Sequence, residues 1–110
     1  MRTLSPAPGV LYRHLSALPL FAELPREVIV QIAATATLHL LDRGEVLFHE
    51  GDDSGTIWAL VQGNVQLDRL LQNGERKVLH LHQAPQLLGE GAAFLQEPYP
   101  ATCHCLTEAQ

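Results

Sequence analysis

Residues 43–52 read RGEVLFHEGD, and this stretch decides the fold. Its apolar residues Val46 and Phe48 recur at alternate positions, which is typical of a half-buried strand, and turn-forming residues flank them on both sides. The dipeptide Asn73-Gly74 is a strong hairpin signal further along the chain. Other strand-like runs lie at 56–60, 65–70, 78–82 and 101–107. Short strands at even spacing favour an antiparallel sandwich or roll.

The residues before this stretch predict a leader and two helices. Residues 1–9 are rich in Pro, Gly and Ser, and we expect them to form a flexible leader. Apolar residues at three-to-four spacing predict a short helix over 10–21, broken near Pro19. Pro25 suits the first turn of a second helix with an apolar face. We therefore expect one domain over 10–110.

Composition excludes several classes of protein. Of the 110 residues, 46% are hydrophobic and 17% are charged, which indicates a folded globular domain. The net charge is −5 and the seven Lys and Arg residues are scattered, so we expect contact with DNA only through a further, C-terminal domain. No run reaches the roughly 18 apolar residues of a membrane span, and no signal peptide is evident, so no membrane contact is expected.

The chain has two cysteines, Cys103 and Cys105, which are separated by one residue. Residues at this spacing on an extended strand are badly placed to bridge each other. A chain without a disulfide framework is typical of a reducing environment, so we expect a cytoplasmic location.

Four segments, in this order, resemble the CRP/FNR family of regulators and its cyclic-nucleotide-binding fold. The first is similar to the family's opening helix pair, and the next two are similar to its strand turns. The fourth is similar to the cassette of loop and short helix that holds the phosphate in nucleotide-binding members. The segments are 19–24 (PLFAEL), 43–52 (RGEVLFHEGD), 59–65 (ALVQGNV) and 89–90 (GE) with 94–102 (FLQEPYPAT).

The resemblance implies a mainly β domain with N-terminal helices, folded as an antiparallel β-roll or double-stranded β-helix (jelly roll). It implies the effector-sensing domain of a transcription regulator, not an enzyme, which binds a small molecule and forms homo-oligomers. In the family the roll continues into a last strand, a dimerisation helix and a helix-turn-helix, and we expect this chain to stop before them. One alternative is a regulatory module of a kinase, channel or transporter. Another is a cupin-type enzyme, although the His-rich cupin motif is absent.

The resemblance also implies a ligand pocket in the cassette. In nucleotide-binding members the residue that matches Glu90 accepts a hydrogen bond from the ribose, and the backbone N–H groups after it face the phosphate. Cyclic-AMP binders have an Arg followed by Ser or Thr where this chain has Tyr99-Pro100. No Lys or Arg follows Lys77, so a bound phosphate would lack a cation, and we expect no response to cyclic AMP. The expected pocket residues are Gly89, Glu90, Gly91, Ala92, Ala93, Tyr99, Pro100, Ala101 and Thr102.

The cysteines are candidate metal ligands. Cys103 and Cys105 share one face of the last predicted strand, with His104 on the other. Two thiolates there suit zinc or haem iron, whereas two small side chains buried in the core explain the same pattern without a metal. Iron–sulfur members of the family use cysteines near the N-terminus, which this chain lacks, so no iron–sulfur cluster is expected.

Three histidines complete the set of candidate ligands. His80 and His82 share one face of a predicted strand, with Leu79 and Leu81 on the other. We interpret the two histidines as solvent-facing polar residues, although a site shared with the cysteines could form if the strands were neighbours. His14, in the first predicted helix, is a candidate haem ligand.

Overall fold

The computed structural model describes all 110 residues as eight strands and three α-helices. The first part of the chain contains β1 (Arg2–Leu4), α1 (Val10–Ser16), a 3-10 helix (Pro19–Phe21), α2 (Arg26–Thr35) and β2 (Leu38–Leu40). The second part contains β3 (Val46–Phe48), β4 (Trp58–Leu60), β5 (Asn64–Leu70), β6 (Arg76–Gln83), β7 (Gln86–Leu88), α3 (Glu90–Leu95) and β8 (Thr102–Cys105). None of the helices is long and apolar enough to cross a membrane.

All strand pairs are antiparallel, which agrees with the predicted roll. The largest sheet has four strands in the order β3-β8-β5-β6. Two smaller sheets pair β1 with β2 and β4 with β7. Strand β6 lies at the edge of the large sheet, so one side of its backbone has no strand partner.

The prediction of a flexible leader over residues 1–9 is wrong at its start. Residues 2–4 form β1, in which Arg2 lies opposite Leu40 and Leu4 lies opposite Leu38. The terminal amino group of Met1 also forms an ion pair with Glu45. Turn-forming residues are concentrated at positions 5–9. The composition averaged over residues 1–9 therefore gave no sign that residues 2–4 pair with β2 through their backbone.

Residues 109 and 110 pair with two earlier segments of the roll. Leu41 and Ala109 exchange both backbone hydrogen bonds at 2.9 Å, and the N–H of Gln110 donates to the carbonyl of Gln62 at 2.9 Å. Gly63 allows residues 108–110 to pass close to its backbone, because a Cβ at position 63 would lie 2.5 Å from the backbone oxygen of Glu108. Its φ of 101° is also a conformation that other residues rarely adopt.

Two hydrophobic clusters hold these elements together. The helical cluster contains Leu15, Leu18 and Ile29, and it packs on Ala59 and Leu87 of the β4–β7 sheet. The larger cluster fills the roll with Leu41, Phe48, Leu60, Val65, Leu88, Tyr99, Cys103, Cys105 and Ala109. Both predicted helices therefore pack against one wall of the roll.

A β-bulge in the β5–β6 hairpin determines which side chains of β6 face the interior. Asp68 lies opposite Val78, but the preceding Leu67 lies opposite His80. Leu79 is therefore an extra residue on β6 with no partner of its own. Since side chains alternate between faces, one extra residue exchanges the two faces for the rest of the strand.

The exchange turns the histidines of β6 toward the interior of the roll, although His80 remains exposed and His82 is half-buried. His82 lies opposite the buried Val65, and His80 lies opposite Leu67, so both imidazoles share the inner face with these residues. Leu79 and Leu81 are 37% and 66% exposed. The predicted assignment of the two faces of β6 is therefore wrong, although His80 is exposed to solvent as predicted and only His82 is half-buried.

Candidate functional site

A sharp turn after β7 forms the first wall of the candidate site. Gly89 has a φ of 74° and caps the N-terminus of α3. A Cβ at this position would lie 2.7 Å from Cε1 of Tyr99, so the tyrosine ring occupies the space that any other residue would need. The Gly-Glu turn of the cassette and Tyr99 are therefore packed together as one unit.

The side chain of Tyr99 is buried and its hydrogen bonds are complete. Its hydroxyl donates to the carbonyl of Thr56 at 2.7 Å and accepts from Nε1 of Trp58 at 3.2 Å. Its ring stacks on Phe48, with 3.9 Å between the ring centroids and 16° between the planes. Because the one hydrogen of the hydroxyl is already donated to Thr56, it has no hydrogen to donate to a ligand.

Backbone contacts tie the segment after α3 to the 50–55 turn. The N–H of Tyr99 donates to the carbonyl of Asp52 at 3.0 Å, and the N–H of Gly51 donates to the carbonyl of Tyr99 at 2.9 Å. The hydroxyl of Ser54, which is buried, donates to the carbonyl of Glu97. The cassette is thus anchored to the stretch from which the fold was predicted.

A cavity of about 320 Å³ lies between the cassette and the inner face of β6. Most of the expected pocket residues line it: Gly89, Glu90, Gly91, Ala92, Tyr99, Pro100 and Ala101. Ala93 and Thr102 do not. The hydroxyl of Thr102 instead accepts a hydrogen bond from the backbone N–H of Glu50 at 3.0 Å, which gives it a role in the fold.

The remaining lining residues were not predicted to lie in this pocket. His80 and His82 lie in the wall opposite the cassette, with ring centroids 5.5 Å apart and planes at 22°. The other unpredicted residues are Phe48, Leu67, Gln86, Leu87 and Leu88. The hairpin register would have identified the two histidines, but only if the bulge had been recognised.

The cavity contains no permanent positive charge. Neither Lys nor Arg lines it, and Glu90 is its one acidic residue. The two imidazoles are its only basic groups. A phosphate anion in this cavity would therefore lie near a carboxylate without the guanidinium that usually pairs with it.

The cyclic nucleotide-binding domain family matches residues 38–110, more than half of the chain. The chain belongs to this family. No curated protein sequence matches it. The fold and the resemblance to CRP-type regulators that the sequence predicts are thereby confirmed, and solved structures support both.

Three solved structures are similar to this cyclic nucleotide-binding domain. The N-terminal domain of a transcriptional regulator from Streptomyces coelicolor A3(2) is 34% identical, with a TM-score of 0.77 over 87% of this chain and 69% of that one. The sensor domain of the transcriptional regulator DNR from Pseudomonas aeruginosa is 26% identical, with a TM-score of 0.80 over 88% and 65%. A CRP-family regulator from Thermus thermophilus is 26% identical, with a TM-score of 0.63 over 66% and 37%.

This domain spans only part of several of these proteins. It covers 37% of the Thermus chain and 46% of a further cyclic nucleotide binding protein of the same fold from Ruegeria pomeroyi.

A second, larger cavity of about 610 Å³ lies between the helices and the roll of this cyclic nucleotide-binding domain. Hydrophobic residues make up 18 of the 24 that line it. His14, His39 and Cys105 are among the residues in its wall. His14, the candidate haem ligand, thus lies beside an apolar cavity rather than beside the cassette.

The two cysteines lie in the core. Cys103 is fully buried and Cys105 is 3% exposed, and both are free thiols. Burial raises the pKa of Cys103 from 9.0 to about 12, with a further contribution from Cys105 and Asp68. Burial likewise raises the pKa of Cys105. Since a metal ligand must be a thiolate and no three His, Cys, Asp or Glu residues converge, the structure favours the interpretation as small core side chains.

Alkylation of Cys103 is expected to be much slower in the native domain than in urea, because the thiol is fully buried and burial raises its pKa, which lowers the thiolate fraction. The measurement is the rate of iodoacetamide labelling of a Cys105→Ala variant at neutral pH, with and without urea. Labelling at the same rate in both conditions would show that the thiol is accessible and contradict its burial.

Proposed function

We propose that this domain senses a small-molecule effector for a transcription regulator of the CRP/FNR type, and that the effector is not cyclic AMP. The observation that carries the proposal is the cassette cavity, which has a cyclic-nucleotide-binding framework but neither Lys nor Arg in its wall. The domain acts by binding rather than by catalysis, in the cytoplasm. The assignment to a regulator is supported by the Streptomyces and Pseudomonas domains, both described as parts of transcriptional regulators.

Tyr99 and Pro100 explain why a nucleotide phosphate is disfavoured. The tyrosine is fixed by Phe48, Trp58 and Thr56, so it adds bulk without a free donor. Pro100 lacks the backbone N–H that another residue would offer. An anion without a partner costs several kcal/mol to desolvate, so a neutral effector suits the cavity as it stands.

Homo-oligomers are part of the proposal. The edge strand β6 has a backbone side without a strand partner, and unpaired edges recruit further strands or neighbouring chains. The alternative function is a regulatory module of a kinase, channel or transporter. The gene region that follows residue 110 distinguishes the two, since a helix-turn-helix supports the regulator and a catalytic or membrane segment supports the alternative.

Calorimetric titration of the metal-free domain with cyclic AMP and cyclic GMP tests the proposed selectivity. We expect no binding in the micromolar range for the wild type. Pro100→Arg places a guanidinium at the cavity without disturbing Tyr99, and a charge-assisted hydrogen bond of about 1.5–3 kcal/mol should tighten cyclic-AMP binding about tenfold to a hundredfold.

Pro98→Arg is the matched control, because Pro98 is also exposed but does not line the cavity. It should bind cyclic AMP no better than the wild type. Micromolar binding of cyclic AMP by the wild type would overturn the proposal. A Pro100→Arg variant that gains nothing over Pro98→Arg would show that the absent cation is not what excludes the nucleotide.

A further inference from the structure

The two histidines of β6 have no role in the function proposed above. The two residues are separated by one position on β6, so their imidazoles share one face of the strand, and both line the cassette cavity. The side-chain hydrogen bonds and ion pairs of histidine in this chain involve His39, His49 and His104, whereas His80 is exposed and His82 half-buried without such a contact. Histidine pairs at this spacing on a strand present two nitrogen ligands on one side, an arrangement suited to zinc, copper or nickel.

The separation of the rings is compatible with chelation. A metal ion about 2.0–2.1 Å from one nitrogen of each ring, at a tetrahedral angle, would place the ring centroids roughly 5 Å apart. The observed separation is 5.5 Å. The ring planes lie at only 22°, so both side chains have to rotate before a nitrogen of each ring points to one ion.

We propose that His80 and His82 form a binding site for a divalent transition-metal ion in the wall of the cassette cavity. No third protein ligand converges on the pair, so water or a bound effector completes the coordination. The ion would give the cavity the positive charge that its Lys- and Arg-free wall lacks. This last point, a role in holding an anionic effector, rests on the proposed function, whereas metal binding itself does not.

Titration of the tag-free domain with Zn²⁺ alone, and with Co²⁺ for its visible spectrum, tests the site. We expect one ion per chain. Because even loss of a supporting partner of a metal ligand costs tenfold to a hundredfold in affinity, His80→Ala and His82→Ala should each weaken binding by about tenfold or more. The double variant should lose the cobalt absorption bands.

The matched control is the double variant His14→Ala/His49→Ala, which removes the same number of imidazoles away from this cavity. It should bind like the wild type. If a variant of β6 fails to fold, as judged by circular dichroism, Co²⁺-induced broadening of backbone amide signals in the wild type identifies the site instead. Broadening should be centred on residues 80–82 and on the cassette.

Absence of binding in the wild type, or broadening centred elsewhere, would overturn the metal site. That result would leave the proposed effector pocket intact, because the cyclic-nucleotide titrations are done without metal. Conversely, micromolar cyclic-AMP binding by metal-free protein would overturn the proposed selectivity and leave the metal site standing.

Discussion

Replacing Tyr99 with alanine is expected to lower the free energy of unfolding by about 3–5 kcal/mol, the cost of truncating a buried aromatic side chain. The tyrosine is 4% exposed and stacks on Phe48, so its removal leaves a cavity in the centre of the roll. It would also leave the N–H of Trp58 and the carbonyl of Thr56 without a partner. Urea unfolding, followed by the fluorescence of the single tryptophan, measures the change.

Tyr99→Phe separates the contribution of the packed ring from that of the hydroxyl and its hydrogen bonds. It keeps the stacked ring and removes only the hydroxyl, so a loss of about 1–3 kcal/mol is expected from the two unsatisfied groups. Tyr12→Ala is the control, since the other tyrosine is only partly buried and should cost less. If Tyr99→Ala were no more destabilising than Tyr12→Ala, the ring would not be the buried unit that shapes the cassette.

The same tyrosine shows what sequence patterns predict well. Its place in the pocket wall followed from the motif that ends at 102, because a motif preserves the order of residues around a turn. The hydrogen bonds to Trp58 and Thr56 did not follow, since these partners are about forty residues away in the chain and meet Tyr99 only when β4 packs beside the cassette. A local pattern carries no information on such a contact.

For His80 and His82, in contrast, the sequence pattern assigned the side chains to the wrong face of the strand. Alternation along a strand assigned the leucines to the inside, which is correct for a hairpin whose register is counted from Asn73-Gly74 without interruption. One extra residue, Leu79, reverses that assignment. Bulges have no reliable sequence signature when neither glycine nor a charge marks them, so it took the structure to show that this pair faces the cavity.

The second large loss of stability that we expect involves Asp68, a buried carboxylate that belongs to none of the sequence motifs. Asp68 is 1% exposed on the face of β5 opposite to Val65 and Leu67. Its carboxylate accepts hydrogen bonds from Arg76 at 2.9 Å and from Gln66 at 3.1 Å, and Nε2 of His104 lies 3.0 Å away. The network links β5 to both of its neighbours, β6 and β8.

Asp68→Ala is expected to destabilise the domain by about 3 kcal/mol at neutral pH, because a buried charged partner is removed. Arg76 is 55% exposed and can be rehydrated, but Nε2 of His104 is buried and has no other partner. Asp53→Ala, at an exposed carboxylate without such contacts, is the control and should change little. Equal losses in the two variants would show that the network does not stabilise the sheet.

The pH dependence of stability gives an independent test of Asp68. Burial alone would raise the pKa of its carboxyl, but the hydrogen bond from Gln66 and the charges of His104 and Arg76 outweigh it and lower the pKa below 3.8. A lowered folded-state pKa gives stability that is present above 3.8 and is lost as the pH falls through the folded-state value. Asp68→Asn, which cannot titrate, should therefore lose less stability than the wild type between neutral pH and about pH 3. Parallel acid profiles for the two proteins would place the acid-sensitive group elsewhere. A flatter profile for Asp68→Asn would identify this buried carboxylate as a group whose protonation destabilises the sheet at low pH.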